Sequence, residues 1–219
     1  VPIDISASHL SESAAALQVA YPDLRVEPLA ADYTRAFRLP PPLTSGGQRI
    51  GLFLGSSLGN FDAADVQRFL RTAGSMLRGG ALLVGIDLVK DPAVLHAAYN
   101  DAAGVTAAFN LNLLERANRE LDADFDTARF AHYAFYVPPA RRVEMHLVSS
   151  ERQVVRVCGQ VFEFAEGESL HTENSHKFTL AGFRVLAARS GLRPGPAWLD
   201  ARRWFALQWL HCEGGALRG

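Results

Sequence analysis

Hydrophobic positions follow two regimes along the chain. Through about residue 90, short apolar runs alternate with stretches of 3–4 spacing; further on, period-two alternation is prominent. The apolar run 1–5 predicts a strand, and Ser6 stands where it would cap a helix over 7–20, stopped by Pro22. A strand is expected over 24–29. Residues 39–47 hold three prolines, a serine and two glycines and are read as loop. The run 50–54 is bounded by glycine on one side and predicts a buried parallel strand. The clearest helix follows. Asp62 is its candidate cap, Asp65 suits the positive end of its dipole, and Val66, Phe69, Leu70, Ala73, Met76 and Leu77 form one apolar stripe. Gly79 and Gly80 predict a left-handed stop, and 81–86 predicts a second buried strand ending at Asp87. Strand, helix and strand at this spacing imply a parallel crossover in an open α/β sheet.

After Lys90 the pattern changes. Pro92 opens a helix to about Asp101, and a second helix is expected over 105–121, with Val105, Ala108, Phe109, Leu113, Ala117 and Leu121 on one side. Antiparallel strands are predicted at 133–137, 141–148, 153–157 and 161–164, separated by Pro138-Pro139, Ser149-Ser150 and Gly159-Gln160. A helix over 179–190, capped by Gly191, and a strand over 205–210 complete the chain. Residues 91–176 therefore read as an α+β insertion into an α/β sheet formed by 1–90 and 177–219.

Composition narrows the function classes. Lys and Arg total 22 against 23 Asp and Glu, a net charge of −1, so no basic excess suits a nucleic-acid backbone. No apolar run approaches the ~20 residues of a membrane span. Cys158 and Cys212 are the two cysteines, with no CxxC, which favours a cytoplasmic protein over a disulfide framework or zinc ribbon. The seven histidines are scattered without an HExxH; His171 and His176 flank Glu173 five residues apart, which is no helical ligand spacing, and no metal site is expected.

Open α/β sheets bind ligands beyond the carboxyl ends of their parallel strands. Asp4, Ala31-Asp32-Tyr33, the segment from Gly55 to Asn60, and Asp87 occupy those positions. A carboxylate at Asp4 suits a ribose diol, and Asp32 beside an aromatic suits an adenine; each aspartate is also an ordinary turn or cap residue. Gly55-Ser56-Ser57-Leu58-Gly59 matches the G-x-S-x-G elbow of a serine hydrolase, with Ser57 as nucleophile. Against that reading, Gly59-Asn60-Phe61 intervene before the helix cap, no His-Gly-Gly oxyanion segment is present, and the chain is short for that fold. Tyr99 reads as a core aromatic, and Met145 as core filler alternating with Glu144 across a strand.

Four runs are more specific: Leu95-His96-Ala97-Ala98-Tyr99-Asn100-Asp101, Val105-Thr106-Ala107-Ala108-Phe109-Asn110-Leu111-Asn112, Glu144-Met145-His146-Leu147, and His171-Thr172-Glu173-Asn174-Ser175. With Val1-Pro2-Ile3-Asp4-Ile5-Ser6 and the segment from Gly55 to Asn60, they resemble, in order, the histidine-specific S-adenosylmethionine-dependent methyltransferases of the ergothioneine pathway. The resemblance implies a Rossmann-like class I methyltransferase sheet interrupted by a substrate-recognition domain. It implies that Asp4, Asp32 and Tyr33 bind S-adenosylmethionine. Asn60 and Tyr99 would hold the carboxylate and amino groups of L-histidine. Glu173 and Ser175 would read the imidazole in a pocket lined by Met145, with Asn174 in the same run. The implied product is trimethylhistidine (hercynine), made by a monomer acting on a small molecule. The family's first strand and glycine-rich cofactor loop precede the Val-Pro-Ile-Asp segment, and none of the 18 glycines rebuilds that loop. The chain is accordingly expected to be an N-terminally truncated fragment without turnover of its own. The other readings are a methyltransferase for another amino acid, a serine hydrolase, and a non-catalytic fragment.

Overall fold

The computed structural model describes residues 1–42 and 46–213. Strand β1 (Ile3–Asp4) pairs in parallel with β2 (Leu29–Ala30) across helix α1 (Ala7–Ala20). The strand expected over 24–29 shrinks to two residues because the backbone meets β1 only there, where Leu29 N–H donates to Pro2 O and Ala31 N–H to Asp4 O. Ser6 holds the cap position of α1 but makes no side-chain cap bond; its N–H instead donates to Asp4 Oδ1 at 2.8 Å. The stretch 39–47 is neither helix nor strand where described, and its residues 43–45, like 214–219 at the end of the expected sheet domain, lie outside the described residues.

A parallel unit follows, from β3 (Ile50–Phe53) through α2 (Ala63–Met76) to β4 (Ala81–Asp87). Asp62 caps α2 by accepting from Asp65 N–H at 2.8 Å. Val66, Phe69 and Leu70 then join Leu82, Val84 and Ile86 in the main core, at about 1.5–3 kcal/mol per buried side chain. Gly79 takes the expected left-handed conformation (φ +79°), whereas Gly80 is needed for a close approach, since a Cβ there would strike Arg49 O. β3 departs from the expected buried strand. Gly51 and Phe53 face the core, but the opposite face is open and Leu52 is 65% exposed.

The other edge of β4 pairs antiparallel with β11 (Phe205–His211), and β11 with β10 (Arg193–Leu199), giving the order β10-β11-β4-β3. β10 was not expected. Its Arg193-Pro194-Gly195-Pro196 opening suits an edge strand, where the register shifts between Pro194 and Ala197. Helix α5 (Leu180–Arg189), capped by Thr179, buries Phe183 and Ala187 in the same core.

The chain leaves this sheet after Leu88 and returns beside it at Phe178, where Phe178 N–H donates to Asp87 O and Val89 N–H to Phe178 O. Between those points lie α3 (Pro92–Tyr99), α4 (Val105–Glu120) and the strands β5 (Phe130–Val137), β6 (Arg142–Ser149), β7 (Gln153–Val157), β8 (Gln160–Phe164) and β9 (Ser169–His176). β5, β6 and β9 form an antiparallel sheet in that order, and β7 and β8 a hairpin that turns at Cys158-Gly159, both with positive φ. β9 was also not expected, because Ser169 to His176 is mostly polar. Eight residues of β5 pair with β6, and their inward side chains, with Leu95 of α3, form a second core of Leu95, Ala134, Val143 and Met145.

α4 lies the other way round from its pattern. Val105, Phe109 and Leu113 face outward, Phe109 being 64% exposed, while Asn110 and Leu114 are buried. Asn110 decides the face, its amide donating to His146 O and meeting His132 Nδ1 at 3.0 Å. Ahead of the helix, Asp101 accepts from the N–H groups of Val105 and Thr106, and these bonds hold its carboxyl down at about 2.

Candidate active site

The carboxyl ends of the parallel strands carry two groups of the expected residues. Asp4 closes β1, and Asp32 follows β2 by two residues at the same edge. One oxygen of Asp4 takes the Ser6 N–H; its other oxygen receives no bond from the described residues. Asp32 Oδ1 accepts from Thr34 N–H and Oγ1, and these bonds hold its carboxyl below the usual range; Oδ2 faces only the exposed Arg35, at 3.4 Å. Tyr33 packs edge-on against Phe53 of β3, 5.6 Å between ring centres. Both aspartates therefore organise a turn with one oxygen and present the other.

β3 and β4 end in the second group. After β3, Ser56 turns into the left-handed region (φ 60°), an uncommon conformation for a non-glycine residue. Its Oγ accepts the Asp87 N–H at 3.1 Å. The turn launches a 3-10 segment, Ser57–Asn60, that lies against β9. Gly59 permits that approach: a Cβ there would sit 2.9 Å from His176 O and 3.5 Å from Ser175 Oγ. Ser57 is exposed and makes no hydrogen bond to a histidine among the described residues, so the elbow lacks the base a nucleophilic serine requires. Asn60, the last residue of that segment, lies near Glu173 and helps hold its carboxyl down.

The last part of β9 aims Glu173 and Ser175 toward α3, while the register shift between Met145 and His146 puts His171 on the other face. Met145 pairs with Glu173 and Val143 with Ser175, so these four share the face that packs on Leu95 and Tyr99. Tyr99 OH donates to Ser175 Oγ at 2.7 Å. Burial pushes the Glu173 carboxyl up, opposed by the charge of Lys177 and by the nearby Asn60. Met145 is fully inside the second core. Asn174 pairs with Glu144 on the opposite face and is not brought to the others; its Oδ1 is buried without a partner among the described residues. Asn60, Tyr99, Glu173 and Ser175 thus converge, Met145 supports them from beneath, and Asn174 turns away.

Lys177, which the sequence analysis did not single out, is the hub of this group. It is 3% exposed; its ammonium donates to Tyr99 OH (2.7 Å) and Ser175 Oγ (2.8 Å) and forms an ion pair with Asp87 Oδ2 at 2.8 Å. Lys90 binds the other oxygen of Asp87. Removing one partner of such a buried pair costs about 3–5 kcal/mol. A signal for it existed: Glu173, Ser175 and Lys177 follow the period of two that puts side chains on one face.

On the outer face, Glu144, His146 and His171 bring potential ligand atoms within 4.8 Å of one another. Each is already engaged. His146 stacks on His171 (4.7 Å, 11°) between Ser169 and Glu144, His171 meets Glu173 O, and Arg142 binds Glu144 and holds its carboxyl low. A cleft of about 450 Å³ lined by Gln48, Gly80, Trp209 and His211 lies at the amino-terminal end of β3 and β4, away from all of these groups.

Known proteins resemble this chain in sequence and in fold. The chain is 40% identical over 210 residues to the histidine N-alpha-methyltransferase of Mycolicibacterium smegmatis, which covers 94% of this chain and 64% of that protein. The protein of the same name from Mycobacterium tuberculosis matches with the same identity and coverage. Ergothioneine biosynthesis protein 1 of Neurospora crassa is 35% identical over 115 residues, 46% of this chain and 13% of that one. The chain thus spans slightly less than two thirds of the length of its mycobacterial relatives. Among solved structures, an S-adenosylmethionine-dependent methyltransferase from Clostridium acetobutylicum superposes with a TM-score of 0.50 at 12% identity, over 97% of this chain and 74% of that one, a likeness of fold: α/β, Rossmann-like. The family model for SAM-dependent, histidine-specific methyltransferases matches residues 1–212, and the chain belongs to that family.

Proposed function

We propose that the protein transfers methyl groups from S-adenosylmethionine to the α-amino nitrogen of L-histidine, giving trimethylhistidine for ergothioneine biosynthesis. The observation that carries this reading is the convergence of Glu173, Ser175, Tyr99 and Asn60 from three separate elements beside the carboxyl ends of β3 and β4. A carboxylate only accepts and a hydroxyl also donates, so Glu173 and Ser175 together match the N–H and the bare nitrogen of a neutral imidazole. In the same reading, 1–90 and 177–219 form the methyltransferase domain and 91–176 the substrate domain, the two meeting where Phe178 rejoins Asp87.

The cofactor residues fit their group. Asp4 and Asp32 each present a carboxylate oxygen at one strand edge, for a ribose diol and an exocyclic amine, with the Tyr33 ring beside them. S-adenosylmethionine supplies the methyl when bound. The protein's own contribution is alignment, which brings most of the rate in an in-line displacement. Tyr99 and Asn60 orient the amino acid, whose amine attacks only when neutral. The reading includes a monomer, because one chain supplies every ring-reading residue. It also includes a cytoplasmic location, where Cys158 and Cys212 persist as free thiols.

The test is incubation of the full-length gene product with S-adenosylmethionine and L-histidine, followed by mass spectrometry. Successive mono-, di- and trimethylated histidine is expected. Methylation of a different amino acid, or none of histidine, would overturn the assignment.

A further inference from the structure

We propose that Thr172 is a positioning residue: its hydroxyl pins a one-residue bulge in β9, and that bulge turns Glu173 and Ser175 into the ring pocket. The proposal rests on the reading of Glu173 and Ser175 as the ring-binding pair.

The pairing register carries it. In the first part of β9, Ser169, Leu170 and His171 pair with Val148, Leu147 and His146 of β6. In the second part, Glu173, Asn174, Ser175 and His176 pair with Met145, Glu144, Val143 and Arg142. The step from His146 to Met145 is one residue on β6, whereas the step from His171 to Glu173 is two on β9, so Thr172 is left without a partner. One extra residue on one strand is a β-bulge. Side chains alternate with a period of two, so the extra residue exchanges the faces of everything beyond it. Before the bulge, Leu170 faces inward onto Leu114, Phe130 and Leu147, and His171 stacks on His146 outside. After it, Glu173 and Ser175 face inward beside Met145 and Tyr99.

An unbroken ladder gives the opposite result. Continuing the first register would set Thr172 against Met145, Glu173 against Glu144 and Asn174 against Val143. Thr172 and Asn174 would then point into the pocket, and Glu173 and Ser175 would lie on the outer face. Glu173 and Glu144 would also be like charges directly opposite one another, which is unfavourable.

Two side-chain contacts hold the bulge. Thr172 Oγ1 donates to Met145 O at 3.0 Å, tying the unpaired residue to β6 at the step where the register changes. His171 Nε2 meets Glu173 O at 3.2 Å, spanning the bulge within β9. Thr172 thus acts through the residue that follows it, and bulges beside functional sites commonly re-aim a side chain in this way.

The experiment is calorimetric titration of histidine into the full-length protein saturated with S-adenosylhomocysteine, for Thr172→Val, Glu173→Ala and the double variant. Valine keeps the branched shape and removes the hydroxyl. Thr172→Val should weaken histidine binding about tenfold or more, since a positioning group misplaced by about an ångström costs this much. With Glu173 already alanine, the same change should cost about twofold or less, because residues that act through one another are not additive. Thr172→Ser keeps the hydroxyl and should restore histidine affinity. Affinity for S-adenosylhomocysteine should stay the same throughout, which also reports folding. Wild-type histidine affinity in Thr172→Val, or an equal loss in both backgrounds, overturns the positioning role. Should Thr172→Val not fold, Thr172→Ala takes its place in the cycle. Failure of both to fold while Thr172→Ser folds would assign the hydroxyl to the fold rather than the pocket, which overturns the role as well. Glu173→Ala without effect on histidine binding overturns the ring-binding reading itself, a distinct result.

Discussion

The Tyr99 hydroxyl donates to Ser175 Oγ across 2.7 Å, joining the end of a helix to a strand 76 positions further along. The contact exists because α3 stops at Tyr99. The Asn100 side chain takes the backbone N–H and C=O of Ala134 in β5, which ends the helix and pins it to the sheet. His132 adds a second tie, its Nε2 meeting Tyr99 O at 2.8 Å while Nδ1 faces Asn110. Tyr99 is therefore held from both sides before any ligand arrives, which is the preorganisation that alignment chemistry needs.

Asp4→Ala in the full-length protein should weaken S-adenosylmethionine binding. Loss of a charge-assisted bond to a diol costs about 1.5–3 kcal/mol, or about 10- to 150-fold. Calorimetry checks this, and an unchanged affinity would remove Asp4 from the cofactor site.

Glu173→Ala should relax ring selection. A site built to bond a ring N–H rejects analogues lacking it by up to ~10⁴-fold, because its polar groups are left unpaired. Competition kinetics on histidine and tryptophan should show the histidine preference in kcat/KM falling, more so when Met145 is also made smaller. An unchanged ratio would mean that Glu173 does not read the ring.

Gly59→Ala should lower histidine affinity by about tenfold or more while the protein still folds. The new Cβ would press on His176 O, which is backbone and cannot swing aside. Relieving that contact moves Asn60 away from Glu173, and misplacement of about an ångström in a positioning group is enough to cost a factor of this size or larger. Wild-type affinity in this variant would show that the segment and β9 need not touch.

Glu173→Gln should stabilise the protein at neutral pH. Burial is the largest influence on Glu173 and raises its carboxyl above the ordinary 4.5. The native state then holds this proton more tightly than the unfolded chain. Its favourable contribution is complete below 4.5 and disappears as pH rises through the higher native value, leaving a buried charge at neutrality. Thermal melts should show the variant's advantage at about pH 7.5 shrinking toward pH 4.5, and a variant less stable than wild type at neutral pH would contradict the assignment of burial as the leading cause.

Much of the α/β half was legible because its signals are local. Asp62, the stripe from Val66 to Leu77 and Gly79 lie within one helix and its ends, so cap, period and stop can be read without knowing the neighbours. The quoted runs identified the family for the same reason, being contiguous. What the tertiary structure alone decided depends on contacts between distant residues. Period two says that Glu173 and Asn174 face opposite ways, but only pairing with Met145 and Glu144 settles which side meets Tyr99. The apolar stripe of α4 marked a face without showing that Asn110, through His132 and the backbone of His146, would turn that face outward. β9 has too little apolar character to announce itself, since its strand form comes from bonds to β6. Period two aligns Lys177 with Glu173 and Ser175, but nothing local in the chain says that this lysine is buried. Three oxygens brought together from β4, α3 and β9 can satisfy its three protons, and for that physical reason it lies buried at the centre of the site.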